Sequence, residues 1–132
     1  MEVIWIYAGE DGESRIERVE IPLEPSGVGL VSRLEQATGV LFRDTRADLR
    51  LGYHNAPRRQ FVINMGGETE IAVGDGSSVR VPDGGIIFAE DVTGRGHITR
   101  SLGAACRTVC IEMPDSFDIT KWRTSLPGAG SA

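Results

Sequence analysis

The tightest constraint on this chain is the rhythm of its breakers. From residue 39 to residue 113, short runs rich in β-branched and aromatic residues are cut by Gly66-Gly67, Gly74-Asp75-Gly76, Pro82-Asp83-Gly84-Gly85 and Gly103. Turn signals spaced roughly eight to twelve residues apart leave no room for helices of ordinary length and point to an all-β sandwich or barrel. The 17 glycines serve corners where positive φ is needed, and none follows the spacing of a phosphate-binding loop. The 132 residues suit one domain with one sizeable core, 1–132.

Before this region, Met1 to Tyr7 is rich in β-branched and aromatic residues and reads as a strand. Ala8 to Glu13, with Asp11-Gly12, reads as a turn, and Arg15 to Leu23 as a second strand. The stretch 1–23 is therefore expected to be an N-terminal β-hairpin. Pro25 to Gly29 is a breaker-rich linker, Leu30 to Gln36 is expected to make one helical turn, and Val40-Leu41-Phe42 returns to strand. Near the other end, Arg107 to Met113 predicts a final strand. Cys106, Thr108, Cys110 and Glu112 share one face of it and Arg107, Val109, Ile111 and Met113 the other; the alternation leaves open which looks inward. Asp118 is placed to cap a short turn through Trp122, and the small residues of 125–132 are expected to fray.

A net charge of −5, with arginines interleaved among acids, argues against nucleic acid as partner, since phosphate binding needs a basic stripe. No apolar run reaches membrane-spanning length and the first residues lack the pattern of a signal peptide, so a cytoplasmic protein without a membrane partner is expected. Cys106 and Cys110, four apart in a strand, would have Cα atoms about 13 Å apart. A disulfide needs less than about 7 Å, so both are expected to be reduced and buried.

The chain has two histidines, His54 and His97. His54 sits in Tyr53-His54-Asn55-Ala56-Pro57-Arg58-Arg59-Gln60-Phe61-Val62-Ile63-Asn64, and His97 closes Gly94-Arg95-Gly96-His97. If the first stretch is extended throughout, His54, Ala56, Arg58, Gln60 and Val62 share a face, with Pro57 the place where the alternation could break. These stretches resemble the two motifs of the cupins. In the first, Gly-x5-His-x-His-x3or4-Glu-x6-Gly, His54 stands at the first histidine, Ala56 at the second, Gln60 at the glutamate and Gly67 at the closing glycine. In the second, Gly-x5-Pro-x-Gly-x2-His-x3-Asn, Gly85 and Gly94-x2-His97 match with one extra residue in the loop between them. Asp91 replaces the proline and Ser101 the asparagine.

The resemblance, which covers about residues 38–113, implies a cupin jelly-roll β-barrel (a double-stranded β-helix). It implies a cavity holding His54, Gln60 and His97, as metal ligands or as catalytic groups. It also implies a homodimer in which the 1–23 hairpin pairs with a second subunit, an idea supported by exposed apolar residues around Trp5 and Tyr7; the alternative is that these strands only cover the barrel's own edge. Imidazole suits Zn, Fe, Cu or Ni, and Gln60 would add a weak neutral oxygen; the set lacks a carboxylate, so metal-free chemistry is an equal expectation. There a histidine acts as acid or base, Gln60 orients it or holds a substrate carbonyl, and Arg58, Arg100 and Tyr53 bind the substrate. Glu90-Asp91 reads as a solvated loop pair. The expected function is lyase, isomerase or cyclase chemistry on a small organic molecule, similar to the small cupins of natural-product pathways. The alternative is a non-catalytic ligand-binding cupin, a sensor or carrier; the thin ligand set disfavours an oxygenase.

Overall fold

The alternating runs do become strands, and they shuttle between two layers. The structure is a computed structural model that describes residues 1–123, so the 125–132 tail lies outside the described residues. One sheet contains β1 (Glu2–Ala8), β2 (Ser14–Glu20), β5 (Gly39–Thr45), β7 (Gln60–Met65), β10 (Ile86–Ala89) and β12 (Cys106–Glu112), in the order β2-β1-β10-β7-β12-β5. The other contains β6 (Arg50–His54), β8 (Thr69–Ala72), β9 (Ser78–Val81) and β11 (His97–Ser101), in the order β6-β11-β8-β9. From β5 onward the chain crosses repeatedly between the layers, an all-β jelly-roll sandwich whose sheets remain separate ladders.

The expected N-terminal hairpin is present, β1 against β2 in register from Glu2↔Glu20 to Ala8↔Ser14. It joins the large sheet through β1, which runs parallel to β10. Leu30 to Gln36 is not helical. Pro25 and Gly29, the latter at φ +128°, instead shape a small separate hairpin of β3 (Glu24–Ser26) and β4 (Gly29–Val31), and β-branched Val31 extends it.

Period-two alternation splits the large sheet into two apolar faces. Ile4, Ile6, Ile87 and Ala89 point inward and pack with Ile71, Val79 and Val81 of the small sheet. Val3, Trp5, Val19 and Phe88 point outward, and there they meet Met113, Phe117, Ile119 and Trp122. The core therefore draws on both ends of the chain and exceeds 38–113. Asp118 does cap the turn, its carboxylate accepting from the Thr120 backbone N–H at 2.9 Å ahead of the 3₁₀ turn Ile119–Trp122. A hydrogen bond from the Thr120 hydroxyl, with the backbone one beside it, holds the Asp118 carboxyl below its usual range.

This C-terminal strap is pinned by Arg59. Its guanidinium donates to the carbonyls of Pro114 at 3.1 Å and Phe117 at 2.7 Å and to Glu90 Oε2 at 3.1 Å. Glu90 Oε1 in turn accepts from the Trp5 indole N–H at 2.6 Å. Trp5, at 4 % exposure, is thus covered by its own chain, which removes the apolar alternation at Trp5 as a motive for a second subunit. The strap also explains why the facing of β12 was illegible: Cys106, Thr108 and Cys110 are buried inward, yet Met113 is buried outward beneath the strap.

Phe117 contacts three rings, Phe61 at 5.5 Å, Phe88 at 5.2 Å and Trp122 at 5.3 Å between centroids. Phe117→Ala should cost about 3–5 kcal/mol of unfolding free energy in urea titrations. A loss under about 1 kcal/mol would show that the strap adds little to the fold.

Candidate functional site

His54 and His97 meet because a glycine lets two strands touch. β11 begins at His97, which pairs with His54 at the end of β6, and a register shift follows between His97 and Thr99. Just before it, Gly96 has φ +82°, and a Cβ there would collide with the carbonyl oxygen of His54. Only glycine permits both that backbone and that approach. Gly94, at φ +78°, is likewise packed against the Gly12 backbone, while Arg95 N–H donates to Gly12 O at 2.9 Å. The Gly94-Arg95-Gly96 loop is thereby clamped between the β1–β2 turn and the end of β6.

The two imidazoles lie 4.5 Å apart between centroids, tilted by 55°. His54 Nδ1 is 2.8 Å from the carbonyl oxygen of Gly52. A carbonyl can only accept, so Nδ1 carries the proton and Nε2 the lone pair. His97 Nδ1 is 2.6 Å from Asp91 Oδ2, which fixes the same tautomer. Asp91 is fully buried and also accepts from the Ser14 hydroxyl at 2.8 Å; its Oδ1 has no hydrogen-bond partner among the described residues. Glu90-Asp91 is therefore not a solvated pair. Alternation sends Glu90 outward to Trp5 and Arg59, and Asp91 inward to His97.

Both rings line a cavity of about 590 Å³ between the sheets. Its walls include Ile6, Val62, Ile71, Ile87 and Ala89, and its polar groups include Gln60, Asn64, Thr99 and Thr108. The structure thus brings His54, Gln60 and His97 together, though not along one extended stretch. β6 ends at His54 and β7 begins at Gln60, with a loop around Pro57 between them, so the two residues face each other from different sheets.

Three of the expected substrate contacts are placed otherwise. Arg100 points away from the cavity and pairs with Glu70 at 2.6 Å, because the alternation of β11 puts Thr99, not its neighbour, inside. Tyr53 is exposed and covered by the Arg95 guanidinium, 3.7 Å from its ring centroid. Arg58 acts through Gln60, donating from Nη1 to Oε1 at 3.1 Å. That contact bears on the expected metal set. With its oxygen held by a guanidinium, Gln60 is not a free ligand, and among the described residues no cluster of three His, Cys, Asp or Glu side chains is arranged to hold a metal. Two neutral nitrogens beside a cation do not fit a three-ligand catalytic metal.

Cys106 and Cys110 are free and buried, as their spacing required. Burial pushes the Cys106 thiol up, and its Sγ donates to Asn64 Oδ1 at 2.9 Å. Asn64 also donates to the carbonyls of Val81 and Pro82, at 3.2 and 3.3 Å, joining the sheets at this corner.

No family model matches the chain, and no curated protein matches it. Among the solved structures similar to the chain are two bacterial proteins. The crystal structure of protein NMB1881 from Neisseria meningitidis has 17% identity and a TM-score of 0.45, over 62% of this chain and 84% of that one. That of the conserved SPY1581 protein of unknown function from Streptococcus pyogenes has 23% identity and a TM-score of 0.46, over 66% and 72%. The reading of the site rests on its own geometry.

Two outcomes follow. Gly96→Ala should separate β11 from β6 and disperse the His54 and His97 ring signals in NMR spectra; unchanged signals would remove the glycine from the account. Cys106 should alkylate far more slowly than a free thiol at pH 8. Because its folded pKa is raised, the stability it contributes is complete below the ordinary thiol range and is lost as pH rises through the folded value. Labelling at the rate of a model thiol would contradict this.

Proposed function

We propose that the chain is a cupin that binds a small, largely apolar organic molecule in the cavity and moves a proton on it, as a lyase, isomerase or cyclase does. The observation that carries this reading is the shared tautomer of His54 and His97. Each ring commits Nδ1–H to an oxygen and keeps its lone pair on Nε2, on the opposite ring edge, in rings that line the cavity. Two accepting nitrogens beside apolar walls suit abstraction of a proton from carbon or oxygen and its return elsewhere.

The two bases are not equivalent. When His97 takes a proton at Nε2, the positive ring forms against the buried Asp91 carboxylate 2.6 Å away. His54 has only a neutral carbonyl behind it. Charge therefore collects more favourably on His97, the general base, and His54 is placed to pass the proton on. Gln60 Oε1 is held by Arg58, which turns the side-chain amide N–H₂ into a donor for a substrate carbonyl or enolate oxygen. Asp91, Ser14 and Arg58 are positioning residues, since they act through His97 and Gln60.

The test is protein-dependent deuterium exchange at the carbon next to the carbonyl in a panel of small apolar ketones and acids, followed by NMR in D₂O. Exchange should be seen with the wild-type protein and vanish in His97→Ala. Asp91→Asn keeps the shape and removes the charge, so the rate should fall on the order of 10²–10⁴-fold. The fold should survive, and ¹⁵N spectra should show the His97 tautomer loosened. Compounds that bind without exchange in the wild-type protein would favour the carrier or sensor reading. Loss of a stoichiometric metal in both His54→Ala and His97→Ala would favour the metal-dependent one.

A further inference from the structure

We propose that Arg43 holds the carboxylate of the ligand, so that the molecule taken up is an elongated acid whose reacting carbonyl lies at the opposite end from its acid group. The carbonyl end rests on the acid–base reading. The carboxylate end rests on Arg43 and its neighbours, and is tested apart from it.

The cavity has two polar ends and an apolar middle. On β7 the alternation turns Gln60, Val62 and Asn64 inward, and on β11 it turns His97 and Thr99 inward. His54, Gln60 and His97 make one end. Four residues along β7 from Gln60 stands Asn64, which pairs with Thr108 of β12; four residues along β11 from His97 stands Ser101, which pairs with Thr69 of β8. Thr108 pairs in turn with Arg43 of β5. Strand rise therefore sets this second end about 13 Å from the first. Val62, Ile71 and Ile87 lie between them on the cavity wall.

The second end carries an uncommitted cation. Arg43 Nε donates to Thr108 Oγ1 at 3.3 Å, which ties the guanidinium to the inner face of the sheet's edge. Among the described residues Nη1 and Nη2 have no hydrogen-bond or ion-pair partner, and residues 124–132 contain neither Asp nor Glu. The other charged side chains of the cavity wall are engaged, Arg46 with Asp48 at 3.3 Å and Asp44 with Arg107 at 3.0 Å. Arg58, at the histidine end, is turned to Gln60 and does not line the cavity. Because Thr108 accepts from Arg43, its own hydroxyl proton is left for an incoming oxygen, and buried Thr69 adds a second hydroxyl on the same wall.

These groups select a carboxylate and give it one orientation. A guanidinium with free N–H donors on both terminal nitrogens matches the two oxygens of a carboxylate, and does so better than an ammonium would. Arg43 is itself exposed, so an anion bound there keeps part of its hydration while the apolar chain alone goes inside; the cost of burying a charge is avoided. Reversed, the acid group would face the end that already holds the buried Asp91 carboxylate behind His97, and like charges repel. The cavity of about 590 Å³ lies within the roughly 300–1,000 Å³ of small-molecule sites.

The experiment is calorimetric titration of the full chain with octanoic acid and with octanol at neutral pH. The wild-type protein should prefer the acid by roughly 10–100-fold, and Arg43→Met should abolish that preference. Arg100→Met removes the same charge from the outer face and should retain it. Octanol binding as tightly as octanoate, no octanoate binding at millimolar concentration, or a preference that survives Arg43→Met overturns the anchor; the first two need no variant. A second arm follows deuterium exchange in D₂O beside the ketone of an oxo-octanoic acid whose ketone adjoins the terminal methyl. It should exchange faster than its shorter homologue levulinic acid, which cannot reach both ends, and equal rates would overturn the proposed spacing. A preference for octanoate with no exchange upholds the anchor and removes the acid–base reading. Exchange of plain ketones with no preference for octanoate does the reverse.

Discussion

The hydrogen bonds to Asp91 are the constraint on which the rest of the site depends. A carboxylate at zero exposure is tolerated only if donors replace the water it gave up. Those donors come from Ser14, 77 residues away in sequence, and from His97, 6 residues away. Both donors meet the same oxygen, Oδ2, and in doing so fix the β1–β2 turn against the start of β11. The carboxylate also sets the plane and the tautomer of His97. Removing either donor would leave a buried carboxylate short of partners, a larger cost than the loss of an ordinary surface hydrogen bond.

Two adjacent pairs show how alternation divides labour across one sheet. Arg58 reaches inward to Gln60, and Arg59 reaches outward to the strap. Glu90 reaches outward to Arg59 and Trp5, and Asp91 inward to Ser14 and His97. Each pair couples the site to the scaffold that holds it. Arg59 and Glu90, both mostly buried, also form an ion pair at 3.1 Å that lies between the strap and the sheet.

Much of this was legible in the sequence, for reasons that are local. Turn residues punctuate strands, so the all-β sandwich, the N-terminal hairpin and β12 could be read directly, and the motif spacing brought His54, Gln60 and His97 to one cavity. What escaped was whatever depended on a partner far along the chain. Asp91 looks like a loop acid until Ser14 and His97 are seen beside it. Arg100 and Tyr53 suggest ligand contacts by their chemistry, but the alternation that turns His97, Thr99 and His54 inward turns both of them outward. The cover over Trp5 is equally invisible locally, because Phe117 to Trp122 fold back over it from the far end of the described chain.

That fold-back has a consequence for the order of events during synthesis. β1 finds its parallel neighbour only once β10 has emerged, and Trp5 is sealed only after Trp122 has followed. At about 5–20 residues per second, Trp5 waits roughly 6–25 s on the nascent chain. Until β10 has emerged, β1 and β2 can pair only with each other, a hairpin with apolar residues on both faces. The histidine pair comes late for the same reason, because Ser14 has no carboxylate to hold until Asp91 arrives. The first hairpin to be made therefore waits for the second half of the chain before its two apolar faces are covered.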